Sequence, residues 1–148
     1  MTTVVYDFKN NAIALDSRAV NSGFIITDTA KKFFIFKGEY FFYSGLICDI
    51  EYFKTLVDVK GKPEFNCELN CFRIKNEHVY FCGVDIDGGY WEELADCNQS
   101  HGSGGKLALS ALDFGKSAIE AVEYAKTRDI HTGGLVRVFS VDKLKWIT

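Results

Sequence analysis

The sequence predicts an α+β fold: two antiparallel sheets packed face to face, with helices on the outer surfaces. Three observations carry that reading. Strand-like apolar segments fill Thr2 to Tyr43 and return from Glu64 to Glu93, whereas helical spacing follows Gly45 and Ser103. Strands come first, one helix follows, strands return, and two helices precede a final strand, an order that suits stacked layers. Aromatic residues make up 15% of the chain, with 13 Phe and 7 Tyr, enough for a thick core between those layers.

Thr2–Tyr6 reads as the first strand, Asn10-Asn11 as a hairpin turn, and Ala12–Leu15 as the return, ending at Asp16. Ser22-Gly23 is a second turn. Lys32–Phe36 and Glu39–Tyr43 form a hairpin around Lys37-Gly38, apolar on both faces as for a sheet covered on two sides. Gly45–Val57 shifts to helical spacing, with Ile50, Phe53, Leu56 and Val57 on one stripe, and Lys60–Pro63 breaks it. Glu64–Phe72, Val79–Val84 and Tyr90–Glu93 read as strands, the last after a turn at Asp87-Gly88-Gly89. In the first of these, Phe65, Cys67, Leu69 and Cys71 form the apolar face. Helices follow at Lys106–Asp113 and Ser117–Arg128, with Ile119, Val122, Tyr124 and Ala125 as core candidates of the second. Gly133–Val141 closes the chain as a strand, and Lys143–Ile147 adds another.

At 148 residues, with 47% apolar and 25% charged residues, residues 1–148 read as a single domain able to bury a real core. A net charge of −3 argues against a nucleic-acid surface, which needs a basic stripe. No apolar run approaches a membrane span and no secretory signal is visible, so the expectation is a cytoplasmic protein without membrane or nucleic-acid partners. The 5 cysteines form no paired Cys-x-x-Cys clusters and read as reduced, and mostly as core filler. Neither a metal nor a cofactor is called for. "DIDGG" at 85–89 lacks the acidic positions of a calcium loop and reads as a turn.

Several residues could carry chemistry. If Met1 is removed, Thr2 holds a hydroxyl and a free α-amine, a nucleophile with its own base. The first hairpin brings Asp16 beside Thr2; the same aspartate also reads as a plain turn or cap residue. Lys32 shares a strand face with Phe34 and Phe36, where a lysine either pairs with a carboxylate or loses its proton more easily. Its plain reading is a strand-end lysine reaching for water. Ser44-Gly45 joins a strand to a helix, so the Gly45 N–H could hold an oxyanion or simply make a tight turn. "SHGSGGK" is a glycine-rich loop leading into a helix, without the spacing of a dinucleotide site. In "TRDIHTGG", Asp129 and Thr132 could hold a neighbouring amine, or the glycines could merely end a helix. No histidine motif supports a serine-type triad.

The order of these pieces is more informative than any one of them. Thr2-Thr3, Asp16-Ser17-Arg18-Ala19, Lys32, Ser44-Gly45-x-x-x-Asp49, Gly102-Ser103-Gly104-Gly105 and Arg128-Asp129-x-x-Thr132-Gly133-Gly134 occur in series. The series resembles the catalytic β-subunits of the proteasome and the related bacterial two-ring peptidase, members of the N-terminal-nucleophile hydrolases. The Asp16-to-Lys32 step matches that family, whereas Thr2 to Asp16 is two residues shorter. Losing one residue from each arm of a hairpin keeps its ends opposite.

The resemblance implies a four-layer αββα sandwich and a threonine-type peptidase acting on peptide or protein substrates. It implies Thr2 as nucleophile, Lys32 lowering its proton affinity, Asp16 orienting Lys32, and Gly45 binding the oxyanion. Ser103, Asp129 and Thr132 would surround the amine, with Thr132 standing where the family more often has serine. Ala19, Ala30, Tyr43 and Ile47 match substrate-pocket positions, and bulky Tyr43 would favour small side chains. A homo-oligomer follows, with a ring and an unfoldase partner as further expectations. The chain departs from the family after Gly45: one short helix is followed by "KGKPEFNCELNCFRIKN", so one outer helix is shortened or lost. No propeptide beyond Met1 is expected. The alternatives are a catalytically silent oligomeric binding or interaction module, and a small-molecule amidase on the same scaffold.

Overall fold

Strand β1 (Thr3–Asp7) is buried along its whole length, because both faces of its sheet are covered. It pairs antiparallel with β2 (Ala12–Leu15) in the register Val4↔Leu15, and with the edge strand β10 (Gln99–Gly102) in the register Thr3↔Gly102. Strands β11 (Arg137–Ser140) and β12 (Lys145–Trp146) complete a five-stranded front sheet ordered β10-β1-β2-β11-β12. A second five-stranded sheet, the back sheet, runs in sequence order through β5 (Phe33–Phe36), β6 (Glu39–Gly45), β7 (Leu69–Lys75), β8 (His78–Asp85) and β9 (Gly89–Leu94). A separate hairpin pairs β3 (Ala19–Asn21) with β4 (Phe24–Thr27). This computed structural model describes residues 2–59 and 61–148. Met1, whose removal the sequence reading requires, and Lys60, where the break after the first helix is expected, lie outside them.

Period-two alternation sorts the strand residues into three apolar layers. Val4, Tyr6, Ile13, Leu15, Phe42, Phe72 and Phe139 meet between the sheets. Val5, Ala12, Ala14 and Val138 face the other way, onto α2 (Gly105–Asp113) and α3 (Ala118–Lys126). Their helix partners include Ala108, Ala121 and Ala125, small residues that let helix and sheet approach closely. On the far side, Phe41, Tyr43, Leu69 and Cys71 pack under α1 (Ile50–Asp58), which follows one turn of 3-10 helix at Ile47–Asp49. The result is the expected αββα sandwich. One nine-residue helix forms the outer layer over the back sheet.

Where α1 ends, charge covers the sheet. Arg73 bonds Glu39 at 2.5 Å and Glu92 at 3.1 Å, Lys75 also pairs with Glu92, and the Arg73 guanidinium lies 5.2 Å from the Phe41 ring. Alternation puts these side chains on the outer face, in line with the residues that α1 buries.

Several local expectations are corrected. The strand expected from Glu64 begins only at Leu69, and Phe65 is 68% exposed, because Tyr52 caps this stretch by accepting the Glu64 and Phe65 N–H groups. Strand β7 instead runs on to Lys75 along β8. In α3 the buried stripe is Ala118, Ala121, Val122 and Ala125, so Ile119 and Tyr124 point outward. The β3–β4 hairpin extends the expected Ser22-Gly23 turn into paired strands. The first residues of the glycine-rich stretch at 100–106 belong to β10, whose edge position gives it no apolar alternation to read. All five cysteines are free. No helix among the described residues is long and apolar enough to cross a membrane.

Candidate active site

The hairpin ends bring Thr3, rather than Thr2, into direct contact with Asp16. The Thr3 N–H donates to Asp16 Oδ1 at 3.0 Å, and Lys32 Nζ donates to the same oxygen at 2.9 Å. Oδ2 accepts the N–H groups of Gly133 at 2.9 Å and Arg18 at 3.2 Å. Asp16 is 0% and the Lys32 side chain 5% exposed, so this ion pair is buried. Burial pulls the Lys32 ammonium below the usual lysine range, and the Asp16 carboxylate resists that pull. Arg18 fastens the loop after Asp16 by gripping both carboxylate oxygens of Asp28, at 2.8 and 3.1 Å, and the Ile130 carbonyl.

Thr3 points toward the helical layer, where its hydroxyl meets that of Thr132 at 2.6 Å. Thr132 gives its one proton to Asp129 Oδ2, so Thr3 is the donor to Thr132. Ser103 Oγ donates to the same Asp129 oxygen at 2.6 Å, and the His131 N–H to the other at 3.1 Å. Burial alone would raise Asp129; the hydrogen bonds from Ser103, Thr132 and His131 outweigh it and hold the carboxyl below its ordinary range. Ser103, Asp129 and Thr132 thus form one connected group, with Thr3 as a fourth member. A side chain at Gly104 would run into the Thr3 hydroxyl, so only glycine lets the loop pass.

Alternation turns Thr2 the opposite way, between the sheets. It is 3% exposed and lines a cavity of about 450 Å³ together with Ser44, Gly45, Glu68, Gly102 and Ser103. Two glycines shape the walls. Gly45 sits at φ +120°, and a Cβ there would strike the Glu68 carbonyl. Gly102, at φ +93°, lies so close to the Thr2 carbonyl that a Cβ would overlap it. The Tyr43 N–H donates to the Lys32 carbonyl at 3.1 Å. Alternation directs the Gly45 N–H to that same edge, beyond the start of β5.

The expected pocket residues lie outside this cavity. Tyr43 is buried in the outer cluster, 6.0 Å ring to ring from Phe34. Ala19 and Ala30 are half-buried and Ile47 is exposed, and none of the four lines the cavity that holds Thr2. Sequence reasoning missed Thr3, although a Thr-Thr pair opening a strand buried on both faces must send one hydroxyl to each. It also missed His101. Its ring is buried, with Nδ1 2.6 Å from Ser44 Oγ, and burial pushes its pKa down to about 3, opposed only by the Phe42 carbonyl. Among the described residues no cluster of three or more His, Cys, Asp or Glu could hold a metal ion.

No protein-family model matches the sequence, and no curated protein does. Solved structures do match. What they share with this chain is the fold, the four-layer αββα sandwich. The eukaryotic HslV from Trypanosoma brucei superposes with a TM-score of 0.67 at 18% identity, over 93% of this chain and 97% of that one. Thiobacillus denitrificans BPH, solved in complex with epoxomicin, gives 0.69 at 14% identity over the same shares of the two chains.

Proposed function

We propose that this protein is a threonine-type peptidase whose nucleophile is Thr2 after removal of Met1. The observation that carries the proposal is the placement of Thr2 in a cavity walled by Gly45 and Ser103, beside the buried Asp16–Lys32 pair. The Thr2 hydroxyl attacks the scissile carbonyl and passes its proton to its own α-amine, directly or through a water. The Gly45 N–H receives the developing oxyanion. Collapse expels the leaving amine, which takes that proton, and water then hydrolyses the threonyl ester. Lys32 and the Thr3 N–H converge on one Asp16 oxygen, which sets the ammonium beside the Thr2–Thr3 peptide and favours loss of the hydroxyl proton. The Ser103–Asp129–Thr132 group fixes the strand from its other face through Thr3.

The substrate is a peptide or protein. The resemblance matches Tyr43, with Ala19, Ala30 and Ile47, to a pocket for the first substrate side chain that lies outside the cavity holding Thr2. A bulky Tyr43 there favours small side chains. Tyr43→Ala is expected to admit larger ones in substrate profiling, an unchanged preference counting against the assignment. Exposed Phe24 and Ile26 on β4, and Phe114 at 91% exposure, support self-association, with a ring and an unfoldase as the larger assembly. Five free cysteines suit a reducing compartment such as the cytoplasm.

One structural neighbour was solved with epoxomicin, and an epoxyketone is the direct probe, because it closes a ring on both the hydroxyl and the amine of an N-terminal threonine. Intact mass spectrometry should show loss of Met1 and one adduct, with none in Thr2→Ala. A mass that retains Met1 and gains no adduct would overturn the proposal, leaving a silent binding module or, if small amides turn over, an amidase.

A further inference from the structure

Between the two sheets nearly everything is apolar, and the exception sits at the wall of the Thr2 cavity. Ser44 faces inward with Phe42, and His101 faces inward beside its pairing partner Val4. Their 2.6 Å hydrogen bond is, among the described residues, the one hydrogen bond between two side chains that joins a strand of one sheet to a strand of the other. The His101 ring lies between Phe72, at 4.7 Å, and Phe81, stacked at 5.7 Å and 12°. Its Nε2 is buried without a hydrogen-bond partner. An unpaired polar atom among aromatic rings costs stability, and an apolar pair would fill the space more cheaply. Stability therefore does not explain the bridge.

Its neighbours do. Ser44 precedes Gly45, the oxyanion donor, and His101 precedes Gly102, which lies against the Thr2 carbonyl. The bridge thus links the residue before the Gly45 N–H to β10, the strand paired with β1 just after Thr2. We propose that Ser44 and His101 are positioning residues, and that their hydrogen bond sets the distance and angle between the Gly45 N–H and the Thr2 hydroxyl. This rests on the peptidase reading. The bond fixes the Ser44 side chain and with it the Ser44–Gly45 peptide plane, at the one end of β6 where β5 offers no partner strand. Small displacements of an oxyanion donor are enough to lower rate while leaving binding intact.

Two measurements on the full chain test this. Ser44→Ala and His101→Leu should each slow the maximal rate of epoxyketone adduct formation about tenfold or more, with the half-saturating reagent concentration held within about twofold. The melting temperature should stay level or rise, and the double variant should be no slower than either single one. His101→Asn, which keeps a polar group near Nδ1, should recover much of the rate. Rates within about twofold of wild type in both single variants, or losses that follow the melting temperature, would overturn the proposal. Amide hydrogen exchange supplies an arm independent of chemistry: in His101→Leu the Gly45 amide should exchange at least about tenfold faster, while Phe41 on the same strand, facing the outer cluster, is unchanged. If wild type forms no adduct yet Gly45 exchange responds, the nucleophile assignment fails and the bridge stands. Unchanged Gly45 exchange sinks the bridge.

Discussion

Lys32→Met is expected to cost about 3–5 kcal/mol of folding stability, the range for removing one partner of a buried ion pair. The variant leaves Asp16, 0% exposed, with three neutral backbone N–H donors and no cation on the oxygen that Lys32 and Thr3 now share. Methionine fills the space, so the loss is electrostatic and not a cavity effect. Urea unfolding reads it directly, and a loss below about 1 kcal/mol would mean that the backbone donors alone satisfy the carboxylate. Adduct formation at Thr2 should disappear in the same variant even where the protein is still folded. The reverse change, Asp16→Asn, strands the ammonium. Burial already holds the Lys32 pKa below that of an unfolded lysine. Between the lowered folded value and the unfolded one near 10.4, the unfolded chain binds more protons, so stability of Asp16→Asn should climb as pH rises through that window.

Acid should destabilise the protein through His101. Its folded pKa of about 3 lies well below the unfolded histidine value near 6.5. Between these values the unfolded chain takes up a proton that the folded chain refuses. Stability is therefore complete above about pH 6.5, falls as pH drops, and levels off below about pH 3, a total on the order of 5 kcal/mol. Thermal melting from pH 7 to about 5.5 samples the histidine window while staying above the unfolded carboxyl range near 4, where the contribution of the depressed Asp129 begins to be lost. The same series on His101→Leu should be markedly flatter. Equal slopes in the two proteins would show that the ring is protonated without unfolding.

Much of this molecule was legible because its faces are periodic. Both hairpins, the Ile50–Val57 stripe and the layer order follow from alternation and helical spacing, and the structure reproduces them. The candidate site residues could be named from their serial order, but their partners could not. Nothing in one dimension says that Thr3 takes the contact with Asp16 while Thr2 turns inward; that depends on register, which a two-residue difference in the first hairpin leaves open. His101 was invisible because β10 is a short edge strand, QSHG, with no alternation to assign its side chain a face. Phe65, Ile119 and Tyr124 misled because apolar residues also occur on exposed surfaces.

The charged lattice of Arg73, Glu39, Glu92 and Lys75 has a consequence for how small such a sandwich can be made. A helix laid over a sheet requires its own turns, connections and apolar stripe, some twenty or so residues of coding length. Here four side chains on strands that must exist anyway finish what a nine-residue helix begins. The aromatic layer ends in a rim that water can wet, so the face needs no further shelter. For anyone trimming this scaffold, that rim marks where material can be removed, and grafting it onto a larger relative is the way to learn how little chain the architecture demands.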